Sequence, residues 1–136
     1  MIQTRGLLHI TISVTDLDRA TAFYRDMLGC ELIRQNRSKT MSFMKTGNSL
    51  FVLTHTGVHQ RPNQEGHMNL DTTLFHHAFL VTPDEFDRAV TYFEANGIEH
   101  FDCTFNGHTT FPGRRHMYIM DPDGNSVELA TTIEGE

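Results

Sequence analysis

Long apolar stretches are absent from this chain. Its apolar runs last only a few residues, whereas a membrane-spanning helix needs about 20. The opening MIQTRGLLHITISV lacks a signal peptide's long apolar stretch and small-residue cleavage site, so a cytoplasmic protein without a membrane partner is expected. Clustered basic charge is also scarce. Formal net charge is −6 and the only tight basic pair is Arg114–Arg115, which argues against nucleic acid as a partner. Cysteine is limited to Cys30 and Cys103, far apart and in no CxxC pattern, so two reduced, mostly buried thiols are expected rather than a disulfide or zinc framework. Histidine, by contrast, is abundant: nine in 136 residues. At this length one compact domain buries a core without disulfides.

Two of the histidines stand together in LFHHAFLV, residues 74–81, inside a segment otherwise built for a core. Successive side chains of a strand point to opposite faces. One imidazole therefore faces one side of the sheet and the other faces away.

The two halves of the chain repeat each other. HITISVTDLDRATAFYRDMLGCEL in the first half matches HHAFLVTPDEFDRAVTYFEANGIEH in the second. Each opens on His in a strand, passes Val-Thr, then gives Asp-Arg-Ala, an aromatic pair and a glycine, Gly29 or Gly97. Leu8, Ile10, Ile12 and Val14 alternate with polar residues, predicting a strand over 8–14. Thr15 or Asp16 can cap the helix that follows, and Gly29 is its expected stop. Pro83 starts a second helix, whose apolar stripe is Phe86, Ala89, Val90 and Phe93. Short strands are predicted at 31–36, 40–46 and 50–55, and at 98–105, 115–120 and 126–131. The expectation is an α+β fold of two βαβββ modules packed together, a single domain over 1–136. Module one spans about 5–56 and module two about 74–132, with a polar linker and candidate lid at about 57–73.

Asp121-Pro122-Asp123-Gly124 is a turn signal that joins the last two strands. Glu128 follows between Val127 and Leu129. A carboxylate on the inner face of a sheet is costly unless paired or bound to a cation. With one histidine near the start of each module, His9 and His76 or His77, the chain offers two imidazoles and a carboxylate, a donor set suited to a divalent transition metal with open coordination positions.

These motifs resemble the vicinal oxygen chelate superfamily, which includes glyoxalase I, extradiol dioxygenases, fosfomycin-resistance enzymes and bleomycin-resistance proteins. The resemblance covers essentially the whole chain. It lies in Leu7 to Gly29 around His9, in His76-His77-Ala78-Phe79, which is similar to the family's HxAF, and in Asp121 to Glu128. It implies that the two modules form a curled mixed sheet around a metal site, the metal held by His9, His76 and Glu128. A slip of one residue would put His77 in place of His76. Glyoxalase I and the epimerases carry a fourth ligand, Glu or Gln, that aligns with about Val52, and valine cannot ligate a metal.

The extradiol signature is approached by Asn106-Gly107-His108, eight residues, then Met117-Tyr118 and Glu128, one spacing residue too long. Tyr118, His108 and His116 are the candidate catalytic residues, Tyr118 as a hydrogen-bonding phenol and the histidines as proton shuttles. Phe43, Phe51, Phe105 and Phe111 are candidate pocket walls. Arg34, Arg37, Lys39, Lys45, Arg114 and Arg115 are the candidate cations for an anionic substrate.

The favoured expectation is an extradiol-type ring-cleaving dioxygenase acting on a small catechol-like compound with Fe(II). The alternative, with Mn(II), Zn(II) or Ni(II), is a lyase, isomerase or thiol transferase of the glyoxalase or fosfomycin-resistance type. A second alternative is a non-enzymatic drug-sequestering protein of the bleomycin-resistance type. A homodimer is expected from the resemblance.

Overall fold

The computed structural model describes residues 1–56, 76–102 and 113–136. The chain separates into two compact units, Met1–Gln60 and Arg61–Glu136.

The first unit begins with β1, His9–Val14, whose Ile12 and Val14 are buried as the alternation predicts. Asp16 caps α1, Leu17–Ala22, by accepting from the Arg19 backbone N–H at 3.0 Å. One continuous helix to Gly29 is not what forms. Phe23–Met27 winds as a π-helical segment that sinks Tyr24 fully into the core, and the Cys30 N–H closes it onto the Tyr24 carbonyl at 2.9 Å. Gly29 follows at φ +67°, the left-handed backbone that glycine takes without penalty. Then come β2, Glu31–Gln35, β3, Met41–Thr46, and β4, Ser49–His55. They form one four-stranded sheet in the order β1-β4-β3-β2, with β1 and β4 parallel and the rest antiparallel.

The second unit repeats this plan. β5, His76–Val81, leads through the Thr82 cap into α2, Pro83–Ala95, with Pro83 in its first turn. β6, Phe101–Asp102, β7, His116–Met120, and β8, Ser126–Thr131, complete a sheet in the order β5-β8-β7-β6, again with the first pair parallel. Of the strand expected over 98–105, only Phe101–Asp102 forms among the described residues. Each unit is thus a βαβββ module, and the fold is α+β. α2 packs its buried Phe86 and Phe93 on the β8 side of the sheet.

Candidate functional site

Strand register places the chemistry-bearing side chains. In the second unit β5 pairs in parallel with β8, His76 opposite Ser126 and Ala78 opposite Glu128. β7 pairs antiparallel with β8, Tyr118 opposite Glu128 and His116 opposite Ala130. Residues in register share a face, and alternation carries that face along each strand. His76, Glu128, Tyr118 and His116 therefore stand on one face of one sheet. Met117, Ile119, Val127 and Leu129, all buried, occupy the other.

The contacts follow from that register. His76 Nε2 lies 2.8 Å from Glu128 Oε2. His116 Nδ1 lies 3.4 Å from the other carboxylate oxygen, Oε1. The Tyr118 ring meets the His76 ring edge-on at 5.1 Å and the His116 ring at 6.2 Å. Glu128, His116 and Tyr118 are buried, so this carboxylate sits in a water-poor place beside two imidazoles. Ser126 Oγ, on the same face beside His76, is buried with no hydrogen-bond partner among the described residues.

The hairpin turn sets the depth of Glu128. Asp121 Oδ1 accepts from the backbone N–H groups of Asp123 (2.9 Å) and Asn125 (2.8 Å). Asn125 Nδ2 donates to Oδ2 at 2.8 Å, and Gly124 turns at φ +80°. This Asx-type lock fixes where β8 begins, and with it the face on which Glu128 emerges.

His77 takes the opposite face. Burial, with a smaller contribution from the charge of His76, pushes its imidazole down to about 4. Its ring packs against Phe79 at 5.7 Å. Of the two adjacent histidines, His76 is the one that meets Glu128.

In the first unit the same register recurs. His9 is opposite Leu50 as His76 is opposite Ser126, and Thr11 is opposite Val52 as Ala78 is opposite Glu128. Phe43 is opposite Val52 as Tyr118 is opposite Glu128. Val52 is therefore the module-one counterpart of Glu128, and Phe43 of Tyr118. A cavity of about 320 Å³ opens on this face, lined by His9, Ile33, Arg34, Phe43, Leu50 and Val52 among others.

His76, Glu128, Tyr118 and His116 thus come together within the second unit, and His9 stands at the equivalent place of the first. Among the described residues no three His, Cys, Asp or Glu side chains are gathered as a complete metal site. The donors that are present nonetheless fit a divalent ion by their chemistry: imidazole nitrogen and a buried carboxylate, adjacent on one face. His108, Phe105, Phe111, His59, Cys103 and the linker expected at 57–73 lie outside the described residues. Arg114 is bound to Glu136 and to the Thr131 carbonyl, and Arg115 pairs with Asp87 at 2.7 Å, so both of these candidate cations already have structural partners.

Known proteins are similar to this chain in sequence and fold. The chain is 28% identical over 126 residues to the glutathione transferase FosA of Serratia marcescens, covering 92% of this chain and 79% of that protein. It is 29% identical over 137 residues to a probable lactoylglutathione lyase of Synechocystis, covering 93% and 95%. Among solved structures, a variant of the fosfomycin resistance protein FosX of Listeria monocytogenes, complexed with Mn(II) and dihydroxypropylphosphonic acid, superposes with a TM-score of 0.68 at 27% identity, covering 97% of this chain and 94% of that one. The curated relatives are transferases and a lyase, so they support the alternative reading and lend none to ring cleavage or to Fe(II). With a family model matching residues 6–129, the chain belongs to the Glyoxalase/Bleomycin resistance protein/Dioxygenase superfamily, the vicinal oxygen chelate proteins.

Proposed function

We propose that this protein is a Mn(II)-dependent thiol transferase acting on a small oxygenated electrophile, with His9, His76 and Glu128 as the metal-holding residues. The observation that carries this reading is Val52. It occupies in module one the place that Glu128 has in module two, so the protein supplies three donors where a glyoxalase I pattern supplies four.

A divalent ion held by His9, His76 and Glu128 would supply Lewis acidity, stabilising negative charge that develops on substrate oxygen. The chain's own residues do the rest. His116, with Nδ1 3.4 Å from Glu128 Oε1, is the neighbour placed to orient the carboxylate. Tyr118, whose ring contacts those of His76 and His116, is the candidate phenol donor to a substrate oxygen. In the transfer a sulfur–carbon bond forms as a carbon–oxygen bond breaks. The proton lost by the thiol is returned to the departing oxygen, and no oxidant is needed. Assembly as a homodimer and a soluble small-molecule substrate belong to the same reading. A glyoxalase-type lyase is the second reading, favoured by the lactoylglutathione lyase relative and opposed by Val52.

Elemental analysis of tag-free protein beside His9→Ala and Glu128→Ala is the test. About one equivalent of Mn per chain is expected in the parent, lost in both variants, with metal-dependent consumption of glutathione in the presence of an epoxide. Iron with catechol-dependent oxygen uptake would return the ring-cleavage reading. No metal, even after anaerobic reconstitution, would leave a ligand-sequestering protein.

A further inference from the structure

We propose that Ser126 is a positioning residue for His76, its hydroxyl accepting the Nδ1–H of that ring once Nε2 serves as a metal ligand. The inference rests on the proposed set of His9, His76 and Glu128. It adds to that set the group that fixes which tautomer of His76 is ready to ligate.

The first observation is an unmet hydroxyl. Ser126 is only 4% exposed, and its Oγ has no hydrogen-bond partner among the described residues. Buried polar atoms are nearly always paired, and one left alone is costly. An alanine would fill the same place without that cost.

The second observation is where the hydroxyl stands. Ser126 begins β8 directly opposite His76, on the face that carries Glu128. Adjacent strands lie about 4.8 Å apart, so the two side chains leave the sheet side by side. Further along the same face come Ala78 opposite Glu128 and Leu80 opposite Ala130, and on its other flank Ser126 is opposite Met120. The side chains of Ala78, Leu80, Ala130 and Met120 carry no oxygen or nitrogen. On this face β5 and β8 therefore offer the His76 ring two side-chain acceptors, the carboxylate of Glu128 and the hydroxyl of Ser126.

The third observation is the direction of the ring. Nε2 lies 2.8 Å from Glu128 Oε2. A carboxylate oxygen only accepts, so Nε2 donates and carries a proton there. A histidine ligand presents a lone pair instead. One proton leaves Nε2 and one is gained at Nδ1, so the neutral ring keeps its charge. Ligating histidines almost always donate that second N–H to a neighbouring oxygen, which fixes tautomer and orientation. Rotation among its staggered positions turns Ser126 Oγ to that N–H. His9 has no such support from the strand beside it, because Leu50 is opposite it.

The test titrates Zn(II), a diamagnetic ion that takes the same nitrogen and oxygen donors, into metal-free protein. Ser126→Ala should bind it about tenfold or more weakly than the parent. Its metal-free melting temperature should equal or exceed the parent's, because no hydrogen bond is lost there. In nitrogen-edited NMR spectra of the loaded parent, His76 should hold its proton on Nδ1, slow to exchange with solvent, and that exchange should quicken in Ser126→Ala. Thr54→Ala is the control. It removes another buried hydroxyl without a partner among the described residues, opposite Ser13 and four residues along β4 from Leu50, and should leave Zn(II) affinity intact. Undiminished affinity in Ser126→Ala, an equal loss in Thr54→Ala, or a His76 ring ligating through Nδ1 would overturn the proposal. A lower metal-free melting temperature with unchanged His76 spectra would make Ser126 a packing residue and overturn it too. If the parent binds no metal, or Glu128→Ala keeps it, the metal set falls and this inference with it. If Glu128→Ala loses the metal and Ser126→Ala binds it as the parent does, this inference alone falls.

Discussion

Glu128 shows how far a single residue's chemistry carries. A carboxylate between Val127 and Leu129 is an anomaly on any strand pattern, and burial beside His76 and His116 is how the fold accommodates it. The strand pattern separated the adjacent histidines only as a pair on opposite faces, and the family resemblance pointed to His76. Which one meets the carboxylate follows from the β5–β8 register, a property of two strands rather than of one. Cys30 was expected to be a reduced, mostly buried thiol, and burial pushes it up to about 11, opposed in part by a hydrogen bond with Thr46. Its folded pKa lies above the unfolded value of 9.0. The stability tied to its neutral form is therefore complete below pH 9 and lost as pH rises through 9 toward 11. At pH 8, iodoacetamide should alkylate Cys30 of native Cys103→Ser protein about 100-fold more slowly than in urea, through the lower thiolate fraction alone. Equal rates by mass spectrometry would show that the thiol is not sheltered.

At the scale of elements, the spacing of apolar residues and the turn signals between them placed β1, β2, β3, β4, α2, β7 and β8 to within a residue or two, and the start of α1. Two features escaped both. The π-helical turn at Phe23–Met27 depends on how Tyr24 fits its neighbours, and helical spacing alone reads straight through it. The bulge at Ile33, where Leu32 is opposite Met44 but Arg34 is opposite Phe43, exists only relative to β3, so β2 by itself carries no sign of it. The equivalence of Val52 and Glu128 is likewise a statement about paired strands, and it can be tested by restoring a carboxylate. Val52→Glu places an acid at a site only 7% exposed. Without metal the melting temperature should fall by roughly 5–10 °C, the cost of an unpaired buried charge. Mn(II) should restore most of it and bind more tightly than to the parent, while thiol transfer declines as an open position is filled. A melting temperature indifferent to Mn(II) would show that Val52 does not face the metal.

On the scale of the whole molecule, both modules leave apolar side chains on their surfaces: Leu8 is 78% exposed, Leu50 42% and Leu80 62%. Leu50 and Leu80 lie on the same faces as His9 and His76 respectively. A pairing of two chains that covers these faces would bring donors together as it buries area. Size-exclusion chromatography with light scattering should give twice the chain mass of 15.6 kDa, and a monomer at micromolar concentration would rule the homodimer out. Mixing His9→Ala with Glu128→Ala should restore metal binding to the mixed dimer if each site draws on two chains, and should restore none if each site is built within one.

The sequence by itself determined the repeat, the α+β modules, the family and the residues with metal-binding chemistry. These rest on local facts: the period of the apolar residues, a proline or glycine at an end, a histidine or carboxylate where a core residue belongs. The tertiary structure alone decided which of these side chains share a face, that Val52 answers to Glu128, and that Ser126 stands opposite His76. Register and bulges arise from hydrogen bonds between strands distant in the chain, and a shift of one residue there turns every following side chain to the other side.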